Sequence, residues 1–344
     1  MFPTEKSMLA TDDRTDLPVL LLYNLDRAWT DHELAKALDE TDYLRACLQA
    51  QGHPVTALPI YDSDLATPLR LYAGDAYIVL NWCEGVPGLP YSDAYVAQIL
   101  ESLNFCYTGS TPDVLALSAD KRQIKARLNL RDVGTPRWRI YTSTCPDGWN
   151  DFPAIVKPSH EHCSIGITPE AVVMSPTELH HRIAYVLDVF QQPALVEDFI
   201  DGREFHIWLW GNGNIEMLPP AEMDFSAFTD VRDRLCTLDS KTDPTSIHYN
   251  QIKLRLPAPL DDDEYQRLEQ ISRAAYRAVG CRDYARIDIR LRDSTFYVLD
   301  VNPNADISYQ GSLACAGAAA GYSYGAVGSH LINLAARRRM AATE

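Results

Sequence analysis

Two adjacent stretches near the C-terminal end carry acidic and amide side chains in a pattern that fits an ion site. The segment YARIDIRLRDSTFYVLDVNPN, from Tyr284 to Asn304, predicts two strands joined by a polar turn at Arg292–Ser294. Residues two apart on a strand share a face, so one face should carry Asp288, Asp300 and Asn302. Two carboxylates and an amide oxygen that converge make a hard-oxygen site for Mg²⁺.

The same face allows a second interpretation. Arg286 lies on it one position further along, and an ion pair between Arg286 and Asp300 would explain the charges without a metal. Asn302 favours the metal site, because an amide is a poor salt-bridge partner but a good neutral ligand. Leu299 and Val301 alternate with these residues and are expected on the opposite face.

Composition limits the classes of protein to consider. The chain has 344 residues, 46% of them hydrophobic and 23% charged, which is enough for two or three domains with buried cores. Its net charge of −16 argues against binding to nucleic acid or to an anionic membrane surface. The eight cysteines form no CxxC pair, which favours reduced thiols and a cytoplasmic location. No apolar run is long enough to cross a bilayer.

The elements that must position the hairpin follow an α/β order. Residues 1–16 are polar and predict a disordered tail. In the first third, strands alternate with helices, which predicts a parallel sheet wrapped by helices over 17–110. Asn24 and the segment Asn81–Gly85 follow strand ends, where open α/β sheets bind ligands. Further on, a helical pattern over 112–134 precedes the strands FPAIVKP and ALVEDFI, and a helix over 262–279 leads into the hairpin.

Several short motifs then occur in a specific order: DKxxxK, IVKP, a short polar loop, LVEDFIDGREF, ARIDI and LDVNP. This order resembles the ATP-grasp superfamily, most closely its D-alanine–D-alanine ligase branch, from about Asp120 to Asn302. The resemblance implies that ATP lies between a central subdomain over 111–200 and a C-terminal subdomain over 201–338, with the parallel α/β domain in front.

The resemblance also implies roles for single residues. Lys121 and Lys157 would bind the ATP phosphates, and Glu204 would accept hydrogen bonds from the ribose hydroxyls. Backbone groups near Asp198 and Phe199 would bind the adenine edge, and Glu197 would accept from its exocyclic amine.

On the catalytic side, Asp288, Asp300 and Asn302 would hold one or two Mg²⁺ ions, with Mn²⁺ as an alternative. Arg286 would stabilise charge that develops in the reaction. Lys241 in a polar loop would help to close the site, and Ser164 belongs to the phosphate-covering loop SHEHCSIG. In that loop, His162 stands where the family has glycine and Cys163 where it has its first serine.

The sequence departs from the family pattern where the amino acids bind. D-alanine–D-alanine ligases carry Gly-Gly-x-Ser-x-Glu after the first strand, but this chain has NLDRAWTDHEL. They end the metal motif with Asn-x-x-Pro-Gly and a Ser-Leu, but this chain has NPNADISYQGSL. Position alone makes five residues candidates for substrate contact: Asn81, Glu84, Asn304, Asp306 and Ser308.

These observations predict an ATP-dependent ligase that joins a small-molecule carboxylate to an amine through an acyl phosphate, giving ADP and phosphate. Three alternatives stay open: a genuine D-alanine–D-alanine ligase, an ATP-grasp small-molecule kinase and a nucleotide-binding module without catalysis. The sequence leaves a monomer or a homodimer open.

Overall fold

The computed structural model describes residues 13–144 and 148–341 of the chain. Three sheets organise them, and each is built from strands that are nearly continuous in sequence. In the described residues, no helix combines the length and apolarity that crossing a membrane requires. None of the seven cysteines in these ranges forms a disulfide.

The first sheet is parallel, with strand order β2-β1-β3-β4. Its strands and the helices between them are β1 (Val19–Asn24), α1 (Asp31–Gln51), β2 (Val55–Ile60), α2 (Ala66–Leu69), β3 (Ile78–Trp82), α3 (Asp93–Ser102) and β4 (Cys106–Tyr107). Helix α1 begins with a capping box between Thr30 and Glu33 and ends at Gly52, whose φ of 110° suits a left-handed C-cap. The predicted strand–helix alternation is therefore present.

Two helices connect this sheet to the second. They are α4 (Pro112–Ser118) and α5 (Lys121–Leu130), so the helical pattern predicted over 112–134 is interrupted. Asp120 causes the interruption, because its extended backbone and its carboxylate, which accepts from the Arg122 N–H at 2.9 Å, start a new helix. Lys121 is thereby placed in the first turn of α5.

The second sheet is antiparallel, in the order β5-β8-β6-β7, with one helix packed against it. Its elements are β5 (Trp138–Tyr141), β6 (Ala154–Pro158), β7 (Val172–Val173), α6 (Pro176–Val189) and β8 (Ala194–Asp198). A short 3-10 turn at Pro169–Ala171 precedes β7.

The third sheet is also antiparallel, in the order β12-β11-β9-β13-β14, with β10 paired to β9. Its strands are β9 (Arg203–Trp210), β10 (Glu216–Met217), β11 (Ala221–Asp224), β12 (Lys253–Arg255), β13 (Tyr284–Arg292) and β14 (Thr295–Pro303). The accompanying helices are α7 (Asp239–Thr242), α8 (Ile247–Gln251), α9 (Asp262–Val279), α10 (Ser312–Ala319) and α11 (Tyr324–Ala341). The predicted hairpin is β13–β14, with its turn at Asp293 and Ser294, both left-handed.

The C-terminal helix returns to the first sheet. In α11, Leu331 and Ile332 share a core with Leu44 of α1 and Ile78 of β3. The predicted unit 201–338 therefore includes a helix that packs with the N-terminal unit.

The same helix holds the start of the described chain. Asp13 has a fully buried side chain that pairs with His330 at 2.9 Å and with Arg337 at 2.5 Å. Residues 13–16 of the predicted tail are therefore anchored, whereas residues 1–12 lie outside the described residues. Both ends of the described chain thus meet on α11, and the core that this helix shares with the first sheet also contains Trp208 and Tyr284 of the third.

Candidate functional site

A cavity lies between the second and third sheets, and its walls come from both. All residues that the sequence assigns to ATP, metal or catalysis line this cavity. They are Lys121, Lys157, Ser164, Glu197, Asp198, Phe199, Glu204, Lys241, Arg286, Asp288, Asp300 and Asn302. The fold thus brings together residues that are up to 181 positions apart along the chain. The order of the motifs predicted this convergence.

The two predicted phosphate lysines reach the cavity from different elements. Lys121 extends from the first turn of α5, and its Nζ donates to Asp300 Oδ2 at 2.9 Å. Lys157 lies near the end of β6, and its Nζ is 2.7 Å from Glu197 Oε2. Each lysine is mostly buried, with 13% and 14% of its side chain exposed. Each positive charge is thus held in place by a carboxylate.

Glu197 has partners that the sequence did not predict. Its carboxylate lies 2.5 Å from Lys125 Nζ in addition to Lys157, and Lys125 and Glu197 are each only 1% exposed. Burial alone would raise the pKa of the Glu197 carboxyl, but the two lysines outweigh burial and hold that pKa below its ordinary value. An acceptor role toward adenine stays a prediction, and it would have to coexist with these ion pairs.

Lys125 is the clearest residue that sequence reasoning missed. In the sequence Lys125 is only the last position of DKxxxK, yet its Nζ also donates to Thr135 Oγ1 at 2.8 Å and to the Val298 carbonyl at 3.3 Å. The available signal was its spacing: Lys125 is one helical turn after Lys121, so both face the same side of α5. It joins α5, β8 and β14 beneath the cavity floor.

The predicted metal residues form a connected set on β13 and β14. Opposite pairs in the ladder are Asp288 with Asp300 and Arg286 with Asn302. Arg286 donates to Asp288 at 2.8 and 3.1 Å, so the ion pair predicted on this face is present but forms with Asp288 instead of Asp300. Asn302 Nδ2 also donates to Asp288, at 3.1 Å, and Lys121 takes the place beside Asp300.

Electrostatics keeps these two carboxylates ionised. Burial would raise the pKa of Asp288, but Arg286 outweighs it, and the pKa lies below the ordinary range. Lys121 does the same for Asp300 against the effect of burial. Ionised aspartates beside an amide oxygen are the donors that Mg²⁺ prefers, so the residues fit this ion.

A β-bulge changes which side of β14 faces the cavity. The pairing shifts between Asp288 and Ile289, so Leu299 is an extra residue in β14. Phe296 and Val298 are buried before the bulge, and Val301 is buried after it. Leu299 therefore lines the cavity beside Asp300, and the prediction that it lies on the opposite face is wrong.

At the other end of the cavity, Glu204 is held by two side chains. Arg290 Nε donates to Glu204 Oε2 at 2.7 Å, and His206 Nε2 lies 3.2 Å from Oε1. Burial would raise the pKa of Glu204, but Arg290 and His206 hold it well below its usual range. The sequence gives Arg290 no role beyond its place in the hairpin; in the structure its guanidinium lies over the Phe199 ring at 4.7 Å.

The strand predicted to bind adenine has some of its groups already engaged. The N–H of Asp198 donates to Arg137 O at 2.9 Å, and that of Phe199 donates to Pro153 O at 3.0 Å. The Asp198 carboxylate accepts from Arg292 at 2.6 Å. These two N–H groups are therefore not free to bind a base, although both residues line the cavity.

The loop SHEHCSIG has its left-handed backbone at Cys163, Ser164 and Gly166, with φ of 54°, 66° and 75°. His162, which stands where the family has glycine, is not among them. Lys241, in the short helix α7 rather than in a loop, donates to Ser164 Oγ at 3.0 Å. The two residues predicted to close the site are thus in contact across the cavity.

The candidates for substrate contact lie elsewhere. None of Glu84, Asn304, Asp306 and Ser308 lines the cavity; Glu84 lines a separate hollow beside β1 and β3. Asn304 Oδ1 accepts from the Ser110 N–H at 2.7 Å, and Asp306 accepts from the N–H and hydroxyl of Ser308 at 2.8 and 2.7 Å. Asn81 is buried and accepts from the Cys83 N–H at 3.3 Å.

Comparison with known proteins agrees with this geometry. A family model described as D-ala D-ala ligase C-terminus matches residues 141–333. An uncharacterized protein, y4sG of Sinorhizobium fredii, is 33% identical over 307 residues, 86% of this chain and 87% of its own. A D-alanine–D-alanine ligase of Marinomonas sp. is 30% identical over 266 residues, 74% of this chain and 77% of its own.

Solved structures give the same fold. The crystal structure of D-alanine–D-alanine ligase from Bacillus anthracis complexed with ATP matches with a TM-score of 0.71 at 20% identity, covering 95% of this chain and 99% of that one. The predicted fold class, an ATP-grasp fold behind a parallel α/β domain, is confirmed. The chain therefore belongs to the D-alanine–D-alanine ligase family of the ATP-grasp superfamily, whose members are ATP-dependent ligases that form C–N bonds.

Proposed function

We propose that this protein joins a carboxylate to an amine through an acyl phosphate, at the expense of ATP, and that its substrates are not two molecules of D-alanine. The observation that carries the chemistry is the convergence of four cationic groups on one cavity that also holds ionised aspartates. Lys121, Lys157, Lys241 and Arg286 all line it, opposite Asp288 and Asp300.

The nucleotide would lie along this cavity with its base near β8. Because the N–H groups of Asp198 and Phe199 are engaged, the adenine contact is better assigned to the next residue, Ile200, which also lines the cavity. Glu204 would accept from the ribose hydroxyls, since Arg290 orients its carboxylate and the negative charge is retained. Lys157 and Lys121 would then bind the phosphates.

Asp288, Asp300 and Asn302 would hold Mg²⁺, which neutralises phosphate charge and keeps the triphosphate in one geometry. Before it binds, Lys121 and Arg286 offset the two carboxylates. These two side chains are therefore positioned to shift from the aspartates toward the phosphates when a metal takes their place.

In the first step an oxygen of the substrate carboxylate attacks the terminal phosphorus, and ADP leaves with the bridging oxygen. In the second step the amine nitrogen attacks the acyl carbon, the amide bond forms, inorganic phosphate leaves, and the nitrogen loses a proton. Arg286 is placed to stabilise negative charge on the transferred group and on the tetrahedral oxygen. The Lys241–Ser164 contact closes the cavity, which limits hydrolysis of the acyl phosphate.

The proposal that the substrates are not two molecules of D-alanine rests on the segment after β1 and on the residues that follow the metal motif. This chain lacks the Gly-Gly-x-Ser-x-Glu segment after β1, and the polar residues Asn304 and Asp306 just after the metal motif already accept hydrogen bonds, from Ser110 and Ser308 respectively. These differences support substrates other than D-alanine. The names of several relatives support the opposite outcome, so D-alanine must be in the test.

A single screen tests the proposal. Phosphate release from ATP and Mg²⁺ would be measured over L- and D-amino acids, dipeptides and amines, singly and in pairs, with the product mass determined for each hit. We expect release to need two substrates and to give an amide, with an Asp300→Ala enzyme as the blank. A phosphorylated product formed without an amine would establish a kinase instead. Release that depends only on D-alanine would establish the D-alanine–D-alanine ligase.

A further inference from the structure

At the end of the cavity where Glu204 lies, three side chains differ in their chemistry from the proposed Mg²⁺ ligands. Glu204, His206 and Cys236 each direct a potential ligand atom inward, and these atoms lie within 4.8 Å of one another. Two of them come from one strand face, because Glu204 and His206 are two apart on β9. Cys236 comes from the loop before α7, so the cluster connects the sheet to the segment that carries Lys241.

The spacing of the histidine and carboxylate ligand atoms suits a tetrahedral ion. His206 Nε2 and Glu204 Oε1 are 3.2 Å apart, and the corresponding edge of a zinc tetrahedron is about 3.4 Å for ligand distances of roughly 2.0–2.2 Å. The other carboxylate oxygen is already bound by Arg290 Nε at 2.7 Å, which fixes the plane of the carboxylate. Such an outer hydrogen bond is what orients ligands in known metal sites.

The donor set selects the type of metal. A thiolate, an imidazole and one carboxylate favour Zn²⁺ or Co²⁺, whereas Mg²⁺ prefers oxygen donors alone. One thiolate and one carboxylate also balance the charge of a divalent ion. The fourth position would face the cavity and hold a water molecule. His206 lies opposite Asp288 in the β9–β13 ladder, so a soft site and a hard site are neighbours.

We propose that Glu204, His206 and Cys236 form a binding site for a thiophilic divalent metal such as Zn²⁺, and that this ion excludes the nucleotide ribose. On binding, the Cys236 thiol loses its proton to solvent and the ion replaces the contact between His206 and Glu204. The metal would then act as an inhibitor that is separate from Mg²⁺. The exclusion of ribose rests on the proposed function, because it needs Glu204 to be the ribose acceptor.

Cobalt provides a direct test of the site without any turnover. The purified full-length protein, reduced and free of metal, would be titrated with Co²⁺ while the sulfur-to-cobalt charge-transfer absorption is recorded. We expect one equivalent to give this band, Zn²⁺ to remove it and a large excess of Mg²⁺ to leave it. The band should be lost in Cys236→Ser and should need at least tenfold more Co²⁺ in His206→Gln.

Two matched variants separate this site from its neighbours. Cys163→Ser removes the other cysteine that lines the cavity, and Asp300→Asn weakens the hard site, so both should keep the band. Circular dichroism would establish that each variant is folded. No band in the native protein, or an undiminished band in folded Cys236→Ser, would overturn the proposal. If Cys236→Ser does not fold, His206→Gln takes its place as the test, because it alters a second ligand; unchanged Co²⁺ binding in that variant would then overturn the proposal.

Competition is measured with adenosine, because it has a ribose but no phosphates to chelate the metal. Adenosine should bind the metal-free protein and should weaken Co²⁺ binding at saturation by at least tenfold. Equal adenosine affinity with and without Co²⁺ would refute the exclusion of ribose. Failure of adenosine and ATP to bind the metal-free protein would instead count against the proposed function, while the cobalt band would still report the metal site.

Discussion

The cavity between the second and third sheets and the surface beside the first sheet use their polar residues in different ways. In the cavity, charged groups of opposite sign are paired across elements, as in Lys121 with Asp300 and Lys157 with Glu197. Beside the first sheet, Asn304 and Asp306 are engaged in hydrogen bonds with nearby backbone or a neighbouring serine. Paired charges can be separated by a ligand that supplies new partners, whereas an amide that fixes a loop cannot leave without a cost to stability.

The largest effect should come from the proposed metal residues. We expect Asp300→Ala and Asn302→Ala each to lower ATP-dependent turnover by about a thousandfold or more, because a bound metal lowers the activation free energy by several kcal/mol when it stabilises the developing charge. Phosphate release on the substrates found by the screen measures this loss, and thermal unfolding checks the fold. Near-normal activity in both variants would remove the metal assignment.

The next effect concerns the ion pair beneath the cavity. Lys125→Met should lower the free energy of unfolding by about 3 kcal/mol, the low end for breaking a buried pair, because Lys157 still faces Glu197. Urea unfolding measures it. The control is Lys36→Met, whose exposed pair with Glu40 at 3.9 Å should be worth less than about 0.5 kcal/mol. Equal effects of the two substitutions would show that burial does not strengthen the Lys125 pair.

A smaller effect tests whether Asn304 is structural. Its φ of 57° and its hydrogen bond to the Ser110 N–H predict a loss of about 1–2 kcal/mol in Asn304→Ala. Ser308→Ala, at an exposed hydrogen bond, should change stability by less than about 0.5 kcal/mol. Unfolding and KM are measured together. A raised KM with unchanged stability would make Asn304 a substrate residue after all.

The smallest effect is a difference in pH dependence. Partial loss of water around the Glu84 carboxyl group in its hollow, with Asp306, Asp93 and Glu40 nearby, raises the pKa of Glu84 to about 7. The folded protein then holds this proton more tightly than the unfolded chain, so Glu84 costs stability above its folded pKa and the cost disappears as pH falls toward its unfolded value. Glu84→Gln should therefore raise the urea midpoint more at about pH 8 than at about pH 5. Because the Glu84 side chain is exposed, solvent reduces the size of this gain.

For the cavity carboxylates, the contribution to stability changes with pH in the opposite direction. Arg286 holds the pKa of Asp288 below its usual range against the effect of burial, so the stability it contributes is present above the unfolded pKa and is lost as pH falls. Substitution of Asp288 by asparagine should thus flatten the acid side of the stability curve. A Glu84→Gln gain that grew toward acid pH would contradict the contrast between the two regions.

Much of the cavity could be predicted because its residues follow strand alternation and motif order. Asp288 and Arg286 share a face of β13 as expected, and helix α9 has its predicted bounds. Pairings between distant elements could not be predicted, because the position of Lys125 beneath Glu197 depends on how α5 packs against two sheets. The left-handed backbone at Cys163 and Ser164 could not be predicted either, because neither residue is a glycine.

The extra residue in β14 has a consequence for how this chain can vary. Buried positions have even numbers before Leu299 and odd numbers after it, so the strand changes phase at one residue. A strand of the same length without the bulge would instead place Asp300 and Asn302 on the face of Phe296 and Val298, toward the core, although no ligand had been substituted. The irregular pairing at Leu299 is therefore constrained more tightly than the identity of that residue: a substitution at 299 alters the cavity wall, and loss of residue 299 would leave a regular ladder with the same faces, but pairing of residue 299 in register would dismantle the site.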